Sequence, residues 1–281
     1  MERHIKPHDN RNQPIIDIDN PLVPNTFYND VKLKKGQTFS FCLEAFESVI
    51  VLASGTCDVT VKGVKFERVG ERMGIFEGKP DSVYVPLSAK ATMTCLTAEA
   101  EVFIAGGKYE EQLSPFRVTP GEVETVQYGS DETKTHRKIL HILGKNAEGK
   151  VGRLLVNELF TVGAGGWSGF PPHKHDADIE GIETAHEEVY QYRFNPPHGF
   201  GAQFLYEKED DYGPIFHIKN GSTIIVDNGY HPVVAAPGYE MYYFTILVGE
   251  SSRSLLQYFH PDHEYQVHTI PGIKDMIAKY K

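Results

Sequence analysis

Cysteine is scarce. Three occur in 281 residues, Cys42, Cys57 and Cys95, all in the first hundred positions and without CxxC or zinc-ribbon spacing. Such an odd, unspaced set excludes a disulfide framework and reads as buried thiols of a reducing compartment. Long apolar runs are missing too. No stretch approaches the roughly 20 uninterrupted apolar residues of a membrane span. The start, MERHIKPHDNRNQPII, has no apolar run behind its charges, so no secretory signal is visible and a cytoplasmic protein is expected. Positive charge is in deficit, with 28 Lys and Arg against 38 Asp and Glu and a net charge of -10. That balance repels phosphate backbones and anionic lipid, so neither nucleic acid nor a membrane is an expected partner. Helical periodicity is nearly absent until IKDMIAKYK (273–281), where a short amphipathic turn is expected.

What remains is β texture. At 40% hydrophobic residues the chain can bury one large core or two medium ones. Residues 1–30, punctuated by Pro7, Pro14, Pro21 and Pro24, read as an extended arm. From Val31 short β-branched and aromatic runs alternate with Gly, Pro, Asp and Lys turns at all-β spacing. They include SVIVLASG (48–55), CDVTVKG (57–63) and SVYVP (82–86). Residues 108–136 are charged, lack a sustained apolar pattern and read as a linker closing a first block at 31–136. A second block, 137–281, has strands expected in RLLVNELFTV (153–162), EVYQYRF (188–194), AQFLYEK (202–208), STIIVDN (222–228) and MYYFTILVG (241–249).

The blocks overlay without a gap when Val83 is set on Ile224. Val85 then matches Val226, Glu99 matches Glu240 and Phe103 matches Phe244. In this register Lys90 falls where His231 stands, and no histidine occurs between His8 and His136. A duplicated chain of this kind has imidazoles for a metal only in its second half.

Those imidazoles concentrate in GGWSGFPPHKHDADIEGIETAHEEVYQYRF (165–194) and in the later NGYHP (228–232). Residues two apart on a strand share a face, so His173 and His175 can aim both rings into one cavity. The pair alone says little, because 13 histidines give about 0.6 HxH pairs by chance. Its context adds weight: glycines and Pro171-Pro172 before it, a carboxylate opening the next strand, and His231 after a glycine turn. Three imidazoles and one carboxylate suit Zn, Mn, Fe, Co or Ni, and leave coordination positions open for water or substrate.

The order HxH, strand-opening Glu, later His resembles the cupin superfamily. Over residues 30–265, FPPHKHD, EEVYQYRFNPPHGF and NGYHPVVAAPGYEMYYFTILVG resemble more closely the bacterial 5-deoxyglucuronate isomerases of inositol catabolism. The 4-deoxy-L-threo-5-hexosulose-uronate ketol-isomerases are resembled less closely. The resemblance implies an all-β bicupin of two tandem jelly-roll-like barrels, the first metal-free and the second holding one divalent ion, Zn or Mn before Fe, Ni or Co. It implies the ligands His173, His175, Glu188 and His231. Glu187, adjacent to Glu188, is an alternative carboxylate ligand, and Glu180, Glu183 and His186, in the twelve residues between His175 and Glu188 that form an excursion suited to a lid, are alternative ligands too. Asn195 and His198 stand where close relatives more often show Asp and Gln.

The implied reaction is conversion of 5-deoxy-D-glucuronate to 2-deoxy-5-keto-D-gluconate, a proton transfer through an enediol. Tyr190 and Tyr192 are the candidate proton-transfer groups, although a tyrosine needs a lowered pKa to serve as base near neutrality and a metal-bound oxygen is at least an equal candidate. Gln203, Tyr242 and Arg193 are candidate substrate contacts, with Lys174 a further cation for the substrate carboxylate, although strand alternation sends Arg193 to the face opposite Glu188. The competing expectations are the ketol-isomerase, a bicupin dioxygenase on the same ligand set, and a non-enzymatic sugar-binding bicupin. Exposed sheet edges favour a homo-oligomer.

Overall fold

A computed structural model describes residues 2–163 and 165–278. The chain is nearly all β; the described residues add one short α-helix, Ile273–Ile277, and two single 3-10 turns. The helix lies within the expected amphipathic turn, whose last three residues fall outside the described ones. The chain divides into two compact units. One holds Asp9–Glu124 and Ile142–Val156; the other gathers the chain up to His8, Thr125–His141 and the chain from Asn157 onward.

The first unit pairs two antiparallel sheets. One runs in the order Phe116–Val118, Ser82–Val85, Phe46–Ser54, Glu99–Lys108, Thr26–Lys34, and the other Thr38–Phe41, Ala91–Cys95, Cys57–Val61, Val64–Val69. The strand Cys57–Val61 alternates buried and half-exposed residues, as a sheet with one dry face must. Ile50, Leu52, Val102 and Ile104 of the first sheet meet Val59, Val61, Ala91 and Met93 of the second in one apolar core. Cys57 and Cys95 are cross-strand partners within the second sheet, both free and buried as expected, whereas Cys42, also expected to be buried, is exposed at its position after the edge strand Thr38–Phe41. Val31, the expected start of ordered structure, lies inside a strand that begins at Thr26, and the expected linker contains the strands Phe116–Val118 and Glu124–Tyr128. The two linker strands mix buried with part- or fully exposed residues and so look like loop in sequence, whereas the first strand carries Asn29 and Asp30, polar residues that the structure buries.

The second unit is built on a seven-stranded sheet, in the order His4–Ile5, Thr223–Val226, His186–Asn195, Glu240–Gly249, Leu154–Thr161, Arg137–Leu143, Glu124–Tyr128. Opposite lies a four-stranded sheet, Gly166–Ser168, Val233–Ala235, Phe200–Phe204, Ile215–Lys219. Tyr192, Phe194, Ile224 and Met241 from the large sheet pack against Ile218, Val233 and Ala235 from the small one. Among the described residues neither unit closes into a barrel, which corrects the expectation of two barrels. Closure needs hydrogen bonding carried around the whole ring with matched tilt and shear. Two facing sheets bury the same core without it.

The gapless overlay coincides with strand boundaries. Ser82–Val85 and Thr223–Val226 correspond residue for residue, as do Glu99–Lys108 and Glu240–Gly249. Val85 pairs with Ser48, and Val226 pairs with Glu188. The first unit therefore carries a serine where the second carries its strand-opening glutamate.

Candidate metal centre

Period-two alternation along His186–Asn195 puts Glu188, Tyr190 and Tyr192 on one face of the large sheet. Glu188 is paired on one side with Val226 and on the other with Leu247. The chain leaving Val226 turns at Gly229 (φ 84), where a Cβ would lie 2.5 Å from the Tyr206 carbonyl oxygen, so only glycine fits. That turn delivers His231. His173 enters on a two-residue strand paired with Tyr258–Phe259, and His175 follows two residues later.

Each ring is fixed by a backbone carbonyl. Nδ1 of His173 lies 3.0 Å from the Pro171 oxygen, Nδ1 of His175 3.3 Å from the His186 oxygen, and Nδ1 of His231 2.8 Å from the Gly229 oxygen. A carbonyl only accepts, so Nδ1 carries the proton of each neutral ring and Nε2 keeps its lone pair. Glu188 Oε2 is the meeting point. Nε2 of His175 is 3.1 Å away and Nε2 of His231 3.5 Å, and the Tyr190 hydroxyl donates to it at 2.8 Å. Donor atoms of His175, Glu188 and His231 all lie within 4.8 Å of one another, and these side chains are only 1–5% exposed. The His231 Nε2 is buried with no hydrogen-bond partner. An imidazole nitrogen left bare at a shared carboxylate is what a divalent ion would satisfy, and His, His and Glu are a donor set that such ions accept. The three residues form a possible metal-binding group.

His173 stands beside this group. Its ring centroid is 5.0 Å from that of His231 and 6.4 Å from that of His175, and its Nε2 meets the Gln257 amide at 2.9 Å. Gln257, far along the chain, carried no sequence signal. Burial pushes the His173 and His231 imidazoles down to about 3, so both are neutral at neutral pH. Burial also pulls on His175, but the hydrogen bond and charge of Glu188 outweigh it and raise its pKa above the ordinary value. Burial, followed by the negative charge of Glu188, raises the Tyr190 phenol well above its usual range. Burial followed by Tyr243 does the same to Tyr192. Both phenols therefore keep their protons at neutral pH and serve as hydrogen-bond donors.

Other expected contacts are displaced. Tyr242 was expected to face inward, but it pairs with Arg193 and its hydroxyl donates to Glu158 at 2.9 Å on the opposite face. Its neighbour Tyr243, paired with Tyr192, faces the site. Directly opposed residues of a sheet share a face, so one register decides both tyrosines. Arg193 takes the face that alternation assigned it. Gln203 is fully buried, accepts from the Tyr192 hydroxyl and donates to the carbonyls of His231 at 2.8 Å and Pro232 at 3.2 Å. Its amide holds the His231 backbone. Gln203→Leu is expected to cost about 2 kcal/mol by orphaning these groups, measured by urea unfolding; an unchanged midpoint would contradict that role.

The excursion after His175 is latched at its base. Glu183, 1% exposed, accepts from the backbone N–H groups of Asp176 (2.7 Å) and Ala177 (3.1 Å), and both its oxygens lie 3.0 Å from Lys174 Nζ. Glu183 is thereby absorbed in the loop, and Glu180 is exposed. His186 stacks edge-on to His175 at 6.0 Å, and Glu187 points to the face opposite Glu188. His173, His175, Glu188, Tyr190 and Tyr243 line a small hollow, a cavity of about 60 Å³ that is partly open to solvent and extends to Arg137, Ile139 and Met276.

Residues 3–266 match the KduI/IolB family. The chain belongs to that family. The KduI/IolB relatives include the 5-deoxy-glucuronate isomerase of Geobacillus kaustophilus, 36% identical over 83% of this chain and 82% of the relative. That of Halalkalibacterium halodurans is 32% identical over 89% and 91%. An IolB-like protein from Salmonella typhimurium superposes with a TM-score of 0.83 at 30% identity, covering 90% of this chain and 94% of that one. Oxalate decarboxylase of Bacillus subtilis superposes at 0.62 with 14% identity over 95% and 81%, a likeness of fold alone, and the fold is cupin-like. No helix among the described residues is long and apolar enough to cross a membrane.

Proposed function

We propose that this chain is an aldose-ketose isomerase converting 5-deoxy-D-glucuronate to 2-deoxy-5-keto-D-gluconate in myo-inositol catabolism. The observation that carries the reading is the agreement of relatives named 5-deoxy-glucuronate isomerase, aligned over more than four-fifths of this chain, with a buried His, His, Glu group opening on a hollow. In this reading the chain is a bicupin whose second half holds one divalent ion on His173, His175, Glu188 and His231, while the first half is a metal-free scaffold. Its partner is a small deoxy-uronic acid.

A divalent ion bound there supplies Lewis acidity, polarising the substrate carbonyl and acidifying the neighbouring hydroxyl. The chain's own residues do the rest. Tyr190 donates to Glu188 Oε2 and fixes the carboxylate's rotamer. Gln203 holds the turn that presents His231. Tyr190 and Tyr192 act as positioning donors, Tyr190 toward Glu188 and Tyr192 toward Gln203.

The test is anaerobic turnover of 5-deoxyglucuronate followed by NMR, before and after chelation. Turnover is expected to proceed without oxygen, to fall at least about 100-fold on stripping, and to return with Zn or Mn. Oxygen consumption would favour a dioxygenase. Turnover confined to 4-deoxy-L-threo-5-hexosulose-uronate would assign the other ketol-isomerase, and activity indifferent to chelation would remove the metal from the reading.

A further inference from the structure

We infer that Arg137 is the anchor for the carboxylate of the substrate. The inference rests on the isomerase reading, in which an acid carries its carboxylate at one end of a six-carbon chain and its carbonyl at the other. Of the cations that sequence brought forward, Lys174 is committed to Asp176 at 2.6 Å and to Glu183 at 3.0 Å, and Arg193 shares the far face of the sheet with Tyr242. Arg137, which no motif marked, lines the same hollow as His173, His175 and Glu188.

Its side chain is held where an anchor is needed. The residue is 3% exposed; Nη1 donates to the Tyr128 hydroxyl at 3.0 Å and Nη2 to the Tyr243 hydroxyl at 2.6 Å. Both acceptors are tyrosine hydroxyls rather than carboxylates, and they orient the guanidinium plane without pairing its charge. Ser168 completes the chain of hydroxyls through its contact with Tyr243. Tyr243 also connects the two ends, since its ring lies 5.0 Å from that of Tyr190, whose hydroxyl is on Glu188. Glu188 is the only acidic residue among those lining the hollow, so a carboxylate arriving near Arg137 meets a planar cationic fork on a buried wall that mixes apolar and polar side chains. Such a surrounding strengthens a charge-assisted, bidentate contact.

Steady-state kinetics of Arg137→Gln, Arg137→Lys and Tyr128→Phe test this, each checked for fold by circular dichroism and thermal unfolding. Arg137→Gln is expected to raise KM for 5-deoxyglucuronate about 100-fold with kcat changed less than about 3-fold. The inhibition constant of 5-deoxyglucose, in which a primary alcohol replaces the carboxylate, should stay within about 2-fold. Lysine, with the charge but not the fork, should fall between, near 10-fold. Should the glutamine variant fail to fold, Tyr128→Phe keeps the cation and loosens it, and KM for the acid alone should rise about 3-fold. An acid KM unchanged, or an equal loss for acid and uncharged sugar, in whichever variant stays folded overturns the anchor and leaves the isomerase standing. A wild-type protein that does not turn over the acid overturns both.

Discussion

Glu188→Gln is expected to lower kcat/KM for 5-deoxyglucuronate by at least about 10³-fold while leaving the fold in place. Oε2 of this residue receives the Tyr190 hydroxyl at 2.8 Å and faces Nε2 of His175 at 3.1 Å and of His231 at 3.5 Å. Glutamine is isosteric and its carbonyl can still accept from Tyr190. What it removes is the negative charge that two imidazole lone pairs share, and with it the donor that a divalent ion needs. Metal content by atomic emission should fall from near stoichiometric to a small fraction. The melting temperature of stripped variant and stripped wild type should agree within about 3 °C, whereas added metal should stabilise the wild type alone. Glu187→Gln, one position earlier and on the other face, should retain metal. A Glu188→Gln protein with full metal and full turnover would sink the site.

Glu47→Ala is expected to cost about 4 kcal/mol, the largest single loss of stability in the first unit. Glu47 is fully buried at the start of its strand. Its two oxygens accept from the backbone N–H groups of Gly152 (2.8 Å), Arg153 (2.6 Å) and Leu154 (2.9 Å) and from the Tyr84 hydroxyl. These two segments lie a hundred residues apart in sequence, and one carboxylate serves three of the second segment's donors. Alanine removes this acceptor from all of them, most costly at the buried Leu154 N–H and Tyr84 hydroxyl. For a unit of this size the melting temperature should drop by about 8–16 °C in calorimetry. Glu47→Gln should fall between, because an amide keeps one accepting oxygen and turns an N–H group toward other N–H groups. A drop below about 2 °C would mean that water or neighbouring carbonyls take over the orphaned donors.

How much of the site was readable depended on how local its cause was. The HxH pair, the glutamate before Val189-Tyr190 and the glycine turn before His231 each follow from rules that act within a few residues: period-two alternation, and a backbone angle that only glycine tolerates. The same rules place Glu188 and Tyr192 on one face and Arg193 on the other. Tyr242 and Tyr243 marked the limit. Either could face inward until the pairing of Tyr192 with Tyr243 was known, and a register is a property of two strands. Arg137, Gln257 and Glu47 lay further beyond reach, because each acts on at least one partner dozens of residues away and none sits in a spaced motif.

The amino-acid sequence by itself determined that the chain is β-rich, where the strands carrying Glu188 and Tyr243 run, that histidines fit for a metal concentrate in its second half, and which face the side chains take along those strands. Only the tertiary structure decided that each unit is an open pair of sheets, that Gln203 supports the His231 turn, that Tyr243 and Arg137 line the hollow, and that His173 meets Gln257. Alternation and turn geometry are written into neighbouring residues, whereas registers, buried polar partnerships and the walls of a cavity exist only once distant strands have been brought together.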